Sequence, residues 1–218
     1  MDLPDIIHID DIEIAVAEIS DATVAACVAS HPTLLLAVEG IRSQRRRNEV
    51  IATCAVVRHL FGNDAHLSHL PSGAPQLLVA GKDSGTALSI SHCEGMVAVA
   101  WRKGSAIGID IETPSPRVMR VAPRFLSTEE FHACHNDLYL TTAAWTVKEA
   151  LFKCIDEEGV DFAKDLQVDI RAIIPGKECR YRARAYGREY VVATMPMPMC
   201  FTASYTTLKQ PTTKRGRC

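Results

Sequence analysis

The chain lacks an excess of charge of either sign: 24 Lys and Arg stand against 26 Asp and Glu in 218 residues, a formal net charge of -2. Nothing global draws it to nucleic acid or to an anionic membrane, and neither partner is expected without a local patch. It also lacks any apolar run long enough to cross a bilayer. The opening MDLPDIIHIDDIEIAVAEI mixes acidic residues among apolar ones and has no basic leader before an apolar block, so a cytoplasmic location is expected. Eight cysteines are present, but no CxxC pair and no Cys/His cluster at zinc spacing. They read as reduced, and several as small apolar core residues. What remains, at 47% hydrophobic and 23% charged, is an ordinary globular composition.

Residues 5 to 19 alternate loosely between apolar and acidic, which predicts an opening strand, and a helix is expected near 21 to 29. From Ile41 to Phe61 apolar residues recur at helical spacing (Val50, Ile51, Cys54, Val57, Leu60), with Gly62 as the stop. After the Pro71 to Pro75 loop, the runs Gln76–Val79, Ala87–Ser91, Met96–Trp101 and Ala106–Ile111 predict a strand meander. A helical region follows from Val118, broken near Asn136. A second strong helix is predicted over 138 to 155, where Leu140, Ala143, Ala144, Val147, Leu151, Cys154 and Ile155 form one stripe. Strands resume at 167–174, 178–186, 190–193 and 201–205. Helix and then meander occur twice. The expected class is therefore α+β, with two similar lobes related by a pseudo-twofold, residues 1–105 and 106–208, each a helix on an antiparallel sheet. Residues 209–218 are basic, polar and aperiodic, and read as a disordered tail.

Chemistry concentrates in a few places. In Gly108-Ile109-Asp110-Ile111-Glu112 the strand period of two sends both isoleucines to one face and both carboxylates to the other. Neighbouring carboxylates raise each other's pKa and ask for a cation, and an oxygen-only set favours a hard one such as magnesium. The alternative is the solvent face of an amphipathic strand. On the second helix, Trp145, Lys148, Glu149 and Phe152 fall at i, i+3, i+4 and i+7, apart from the apolar stripe, and Lys153 follows Glu149 by a turn. A carboxylate flanked by two ammonium groups would complete a metal shell beside phosphate oxygens, while the alternative is a plain Glu-Lys helix pair. Ser89-Ile90-Ser91-His92 offers hydroxyl and imidazole donors to an anion.

The segments SISHCEGMVAVA, IGIDIE, RFLSTEE and WTVKEALFK, in this order and at these separations, resemble the phosphopantetheinyl transferase superfamily over roughly Arg45 to Asp169. The length is similar to that of the long, monomeric type represented by the surfactin synthetase activator. The resemblance implies transfer of the 4'-phosphopantetheine group of coenzyme A to a serine of an apo acyl or peptidyl carrier protein. It implies Asp110, Glu112 and Glu149 as magnesium ligands, and Lys148, Lys153 and Trp145 along the phosphates and the pantetheine path. It implies His92, with Ser91 beside it, at the nucleotide 3'-phosphate. Arg124 and Glu130 lie in the RFxSxxE stretch. The catalytic set it implies is Glu149, Lys153 and Glu130, with either carboxylate as acceptor of the serine proton. Two positions depart from the pattern: Cys54 stands where an arginine is common, and Ala74 where the pattern has Gly-Lys-Pro. Arg45, Arg46 and Arg47 are candidates to compensate as coenzyme A ligands, or else form an exposed basic helix end. Arg180, Arg182 and Arg184 alternate on one strand and present a basic face to an acidic carrier, or to solvent.

Overall fold

The structure, a computed structural model, describes residues 4–196 and the backbone of Thr202–Leu208. The expected tail at 209–218, with Cys218 in it, lies outside the described residues, as does Cys200. Two antiparallel sheets organise the chain. The first contains β1 (Asp5–Ile9), β2 (Ile12–Glu18), β3 (Ala65–His69), β4 (Pro75–Val79), β5 (Lys82–Cys93) and β6 (Met96–Lys103), in the order β1-β2-β6-β5-β4-β3. The second contains β7 (Ile107–Glu112), β8 (Leu166–Val168), β9 (Cys179–Ala185), β10 (Arg188–Pro196) and β11 (Thr202–Leu208), in the order β7-β11-β10-β9-β8. The helices are α1 (Asp21–Ser30), α2 (Gln44–Phe61), α3 (Pro116–Val121), α4 (Thr128–Ala133) and α5 (Leu138–Ile155). The fold is α+β, as its element pattern predicts.

Where the elements begin and end follows from local chemistry. Ser43 caps α2 by accepting from the Arg46 N–H, and Gly62 ends it at φ 96°. Asp137 caps α5 by accepting from the Leu140 N–H. The predicted opening strand is a hairpin, β1 and β2, whose turn puts Asp10 at φ 55°. Asp tolerates that conformation better than most residues, so no glycine marks the turn in the sequence. The meander is β3-β4-β5-β6, and this corrects the expectation that Ala106–Ile111 is its last strand. That segment, β7, pairs with β11 on the edge of the second sheet.

Helix α2 packs on β2, β3 and β6, and α5 on β7, β8, β10 and β11. The predicted stripe of α5 is inside: Ala143, Ala144, Val147 and Leu151 are fully buried. A further apolar cluster joins the sheets, with Ile9, Ile12, Ile14, Ala98 and Ala100 of the first against Ile107, Ile109, Ile111, Ala193 and Met195 of the second. The two sheets therefore share part of their core, and β7 sits in the seam.

Candidate functional site

Three elements meet at the seam: β5, β7 and the C-terminal half of α5. Their closeness depends on Gly108, where a Cβ would stand 1.8 Å from the Ala150 carbonyl oxygen of α5. Only a residue without a side chain lets the strand lie directly on the helix backbone. Ile109 and Ile111 enter the shared core, and Asp110 and Glu112 occupy the alternate positions. The contact with α5 brings Lys153 over the strand, where its Nζ donates to Asp110 Oδ1 at 2.8 Å and to the Ile109 carbonyl at 3.0 Å. Asp110 is 7% exposed. Burial raises its pKa, while Lys153 and the Ser91 hydroxyl oppose the rise.

Glu149 stands one turn before Lys153, and its carboxylate has no hydrogen-bond partner among the described residues. Burial first, then the Asp110 charge, push its pKa up to about 7, with Lys153 opposing and Glu112 adding a smaller rise. Burial, together with Asp110, likewise raises Glu112, against the N–H that Thr113 donates to its Oε1 and the cations Arg117 and Arg45. Three carboxylates, each pushed toward its neutral form chiefly by burial, thus lie near the Lys153 ammonium. Their chemistry fits a hard divalent cation: the donors are all oxygen, and among the described residues only Asp110 of the three is hydrogen-bonded to a protein cation, Lys153. As they stand they do not form a closed shell, for among the described residues no three His, Cys, Asp or Glu side chains converge to hold a metal. Lys153 occupies the near side of Asp110.

His92 follows Ser91 on β5. Its Nε2 lies 2.8 Å from Thr53 Oγ1 of α2, and the Thr53 hydroxyl donates to the Glu49 carbonyl at 2.7 Å. With that proton committed, Thr53 accepts from His92, which places the imidazole N–H on Nε2. Burial pulls the His92 pKa down to about 4, with Glu49 opposing and Arg46 and Lys153 assisting, so the ring is neutral at pH 7. Glu49 ties this corner to the helix start, because its carboxylate accepts from Arg45 Nε at 3.0 Å and Arg46 Nη1 at 3.1 Å. Burial works against its ionisation, yet the two arginines bring its pKa below the usual carboxylate value. Glu49 and Thr53, unassigned on sequence, are an i,i+4 pair on the helix face that meets His92, and the only sequence signal for them is the run Arg45-Arg46-Arg47 just before Glu49. Cys54, the departure from the family pattern, faces elsewhere and packs with the cluster of Val24, Cys27 and Leu34.

Several expectations change. Lys148 and Lys153 do not flank Glu149 together. Lys148 is fully buried and donates to Glu130 Oε2 at 2.6 Å and to the carbonyls of Phe125, Phe162 and Leu166, each at 2.8 Å. Glu130, expected among the catalytic groups, spends both oxygens internally. Oε2 accepts from the Ser127 N–H at 2.8 Å as well as from Lys148, and Oε1 accepts from the Val168 N–H at 2.9 Å. The pair ties α4, α5 and β8 into one knot. Trp145 sits beside it, its ring against Phe125 and Phe162 at centroid distances of 4.9 and 6.0 Å. Ser91, expected to meet an anion, is 5% exposed and donates to Asp110 Oδ1 at 2.7 Å. Arg47 donates to the carbonyls of Val38 and Ile41 and so closes the turn before α2 instead of reaching outward. Arg45 and Arg46 remain exposed at the helix start. Arg124 is exposed, and Ala74 lies in the β3–β4 turn, whose Ser72 hydroxyl donates to Asp156 at the end of α5. Arg180, Arg182 and Arg184 do alternate outward, but Arg180 pairs with Asp10 and Glu178, and the other two with Glu189.

The α+β fold is consistent with one comparison. Residues 106–194, the stretch holding Asp110, Glu112, Glu130, Lys148, Glu149 and Lys153, match the family model described as the 4'-phosphopantetheinyl transferase superfamily. This match supports phosphopantetheine transfer as the general activity. No curated protein matches the chain.

Proposed function

We propose that the protein transfers the 4'-phosphopantetheine group of coenzyme A to a serine of an apo acyl or peptidyl carrier protein, with magnesium, as a monomer of the long, surfactin-activator-like type in the cytoplasm. The observation that carries this reading is the grouping of Asp110, Glu112, Glu149 and Lys153 within the family-matched stretch, on two elements that Gly108 allows to touch. Asp110, Glu112 and Glu149 would hold magnesium, which would supply charge neutralisation at the pyrophosphate when bound. Lys153 is placed to neutralise the same region, and a well-aimed donor of this kind is worth on the order of 3 kcal/mol in the transition state. Of the two carboxylates the sequence leaves open as proton acceptor, Glu149 lies in the group with Asp110 and Lys153, whereas Glu130 has both oxygens committed to Lys148, Ser127 and Val168. Glu130 acts through Lys148 as a positioning group for α5. His92, neutral and held by Thr53, borders the nucleotide side with Arg45 and Arg46.

Incubation of the protein with coenzyme A, magnesium and a panel of apo carriers from fatty acid, polyketide and nonribosomal peptide synthesis should add one phosphopantetheine arm to at least one carrier. No mass gain on any of them overturns the reading. A second reading, a protein that binds coenzyme A or a carrier without turnover, is favoured by Cys54 and Ala74 in place of basic residues. It predicts calorimetric binding of coenzyme A with no carrier modified.

A further inference from the structure

Strand β7 is at the edge of its sheet, yet its free edge is not left bare. Ile109 N–H donates to Ser89 Oγ at 3.1 Å, and Ile111 N–H donates to Ser91 Oγ at 3.2 Å. Both serines belong to β5 of the other sheet, two residues apart and so on the same face, and both are buried, at 3% and 5% exposure. Two hydroxyls thus replace the carbonyls that a neighbouring strand would supply, and they fix the register of β7 against β5. Their roles then diverge. Ser91 alone also donates its proton to Asp110 Oδ1, at 2.7 Å. Lys153 donates to the same oxygen. Both bonds fall on Oδ1, which leaves Oδ2 without a hydrogen-bond partner among the described residues.

We propose that Ser91 is a positioning residue that locks the Asp110 carboxylate with Oδ2 presented to the cation, whereas Ser89 serves only to hold β7 in place. The proposal rests on the reading of Asp110 as a metal ligand. An outer hydrogen-bond partner of this kind typically changes metal affinity by about 10-fold or more when removed.

The serine pair supplies its own control. Ser89→Ala and Ser91→Ala each strand one buried β7 N–H, so each should lower the melting temperature by roughly 3–6 °C. Mn2+ titration followed by electron paramagnetic resonance of the free ion measures binding without reference to turnover. Ser91→Ala should weaken Mn2+ binding about 10-fold, Ser89→Ala should stay near wild type, and Ser91→Thr, which keeps the hydroxyl, should restore binding. Equal weakening in both alanine variants, or no weakening in Ser91→Ala, overturns the positioning role while leaving the metal site standing. Wild-type protein that binds no Mn2+ overturns the metal reading and this proposal with it.

Discussion

Replacing Gly108 with alanine tests whether the contact between β7 and α5 builds the site. The added Cβ would lie 1.8 Å from the Ala150 oxygen and 2.8 Å from its carbonyl carbon, both backbone atoms of a helix that has no flexible end to yield. Ordinary contact begins near 3.4 Å, so strand and helix must part by about 1.6 Å (3.4 less 1.8). The Lys153 bonds to Asp110 and Ile109 start at 2.8 and 3.0 Å, and a separation of that size takes both beyond hydrogen-bonding distance. Overpacking of a core contact costs about 1–3 kcal/mol, and a backbone clash belongs at the upper end, roughly 3 kcal/mol. For a chain of this size that corresponds to a fall of about 6–12 °C in melting temperature. Calorimetric melting should show that fall, and carrier modification by the folded variant at low temperature should drop at least tenfold, because Asp110 and Lys153 no longer meet. A Gly108→Ala protein with wild-type melting and wild-type turnover would refute the account of how the site is assembled.

Lys148→Met should leave the Glu130 carboxylate buried without its counter-charge and cost about 3–5 kcal/mol, read as a loss of roughly 6–20 °C in thermal melting; an unchanged melting point would mean that the knot holds nothing. Glu149 has a folded pKa of about 7, above the ordinary 4.5 of a glutamate, so the folded state holds a proton that the unfolded chain releases, and stability falls as pH rises through that window. In chelator-treated buffer Glu149→Gln should therefore melt above wild type at pH 8, by an amount equivalent to at most about 3 kcal/mol, and the gain should shrink toward pH 5. Magnesium should raise the wild-type melting point at pH 8 and leave that of Glu149→Gln nearly unchanged. Proton NMR of the His92 ring should give a midpoint near pH 4, so the stability tied to its neutral form is present above pH 6.5 and is lost as pH falls through 4; a midpoint above 6 would contradict its burial against Thr53.

The long elements were legible because burial imposes periodicity. Helix α5 carries its stripe over 18 residues, and its predicted bounds, 138 and 155, are those observed. Other features had no such imprint. Strand β3 reads AHLSH, a short edge segment with two histidines, and nothing in it signals a strand. The sheet to which β7 belongs depends on a partner almost a hundred residues away, and sequence adjacency points wrongly to the first meander. The pairing of Asp110 with Glu112 was legible from the strand period alone. Lys148 was not: it stands at i+3 from Trp145, at the margin between the apolar stripe and the polar face, and spacing cannot tell a lysine that reaches phosphate from one enclosed by three carbonyls and a glutamate. Ser89 and Ser91 looked like anion donors because a hydroxyl that stitches two sheets has the same letter as one that binds a ligand. Glu49 and Thr53 became meaningful only when α2 was seen to meet β5.

The most direct test of the central claim is intact-mass analysis of an apo carrier protein after incubation with coenzyme A and the purified protein, with magnesium or with excess chelator, alongside Asp110→Ala. The account predicts a single phosphopantetheine adduct that forms with magnesium, is absent with chelator, and is lost in the variant. An adduct that forms equally well in chelator, or undiminished in Asp110→Ala, would contradict it.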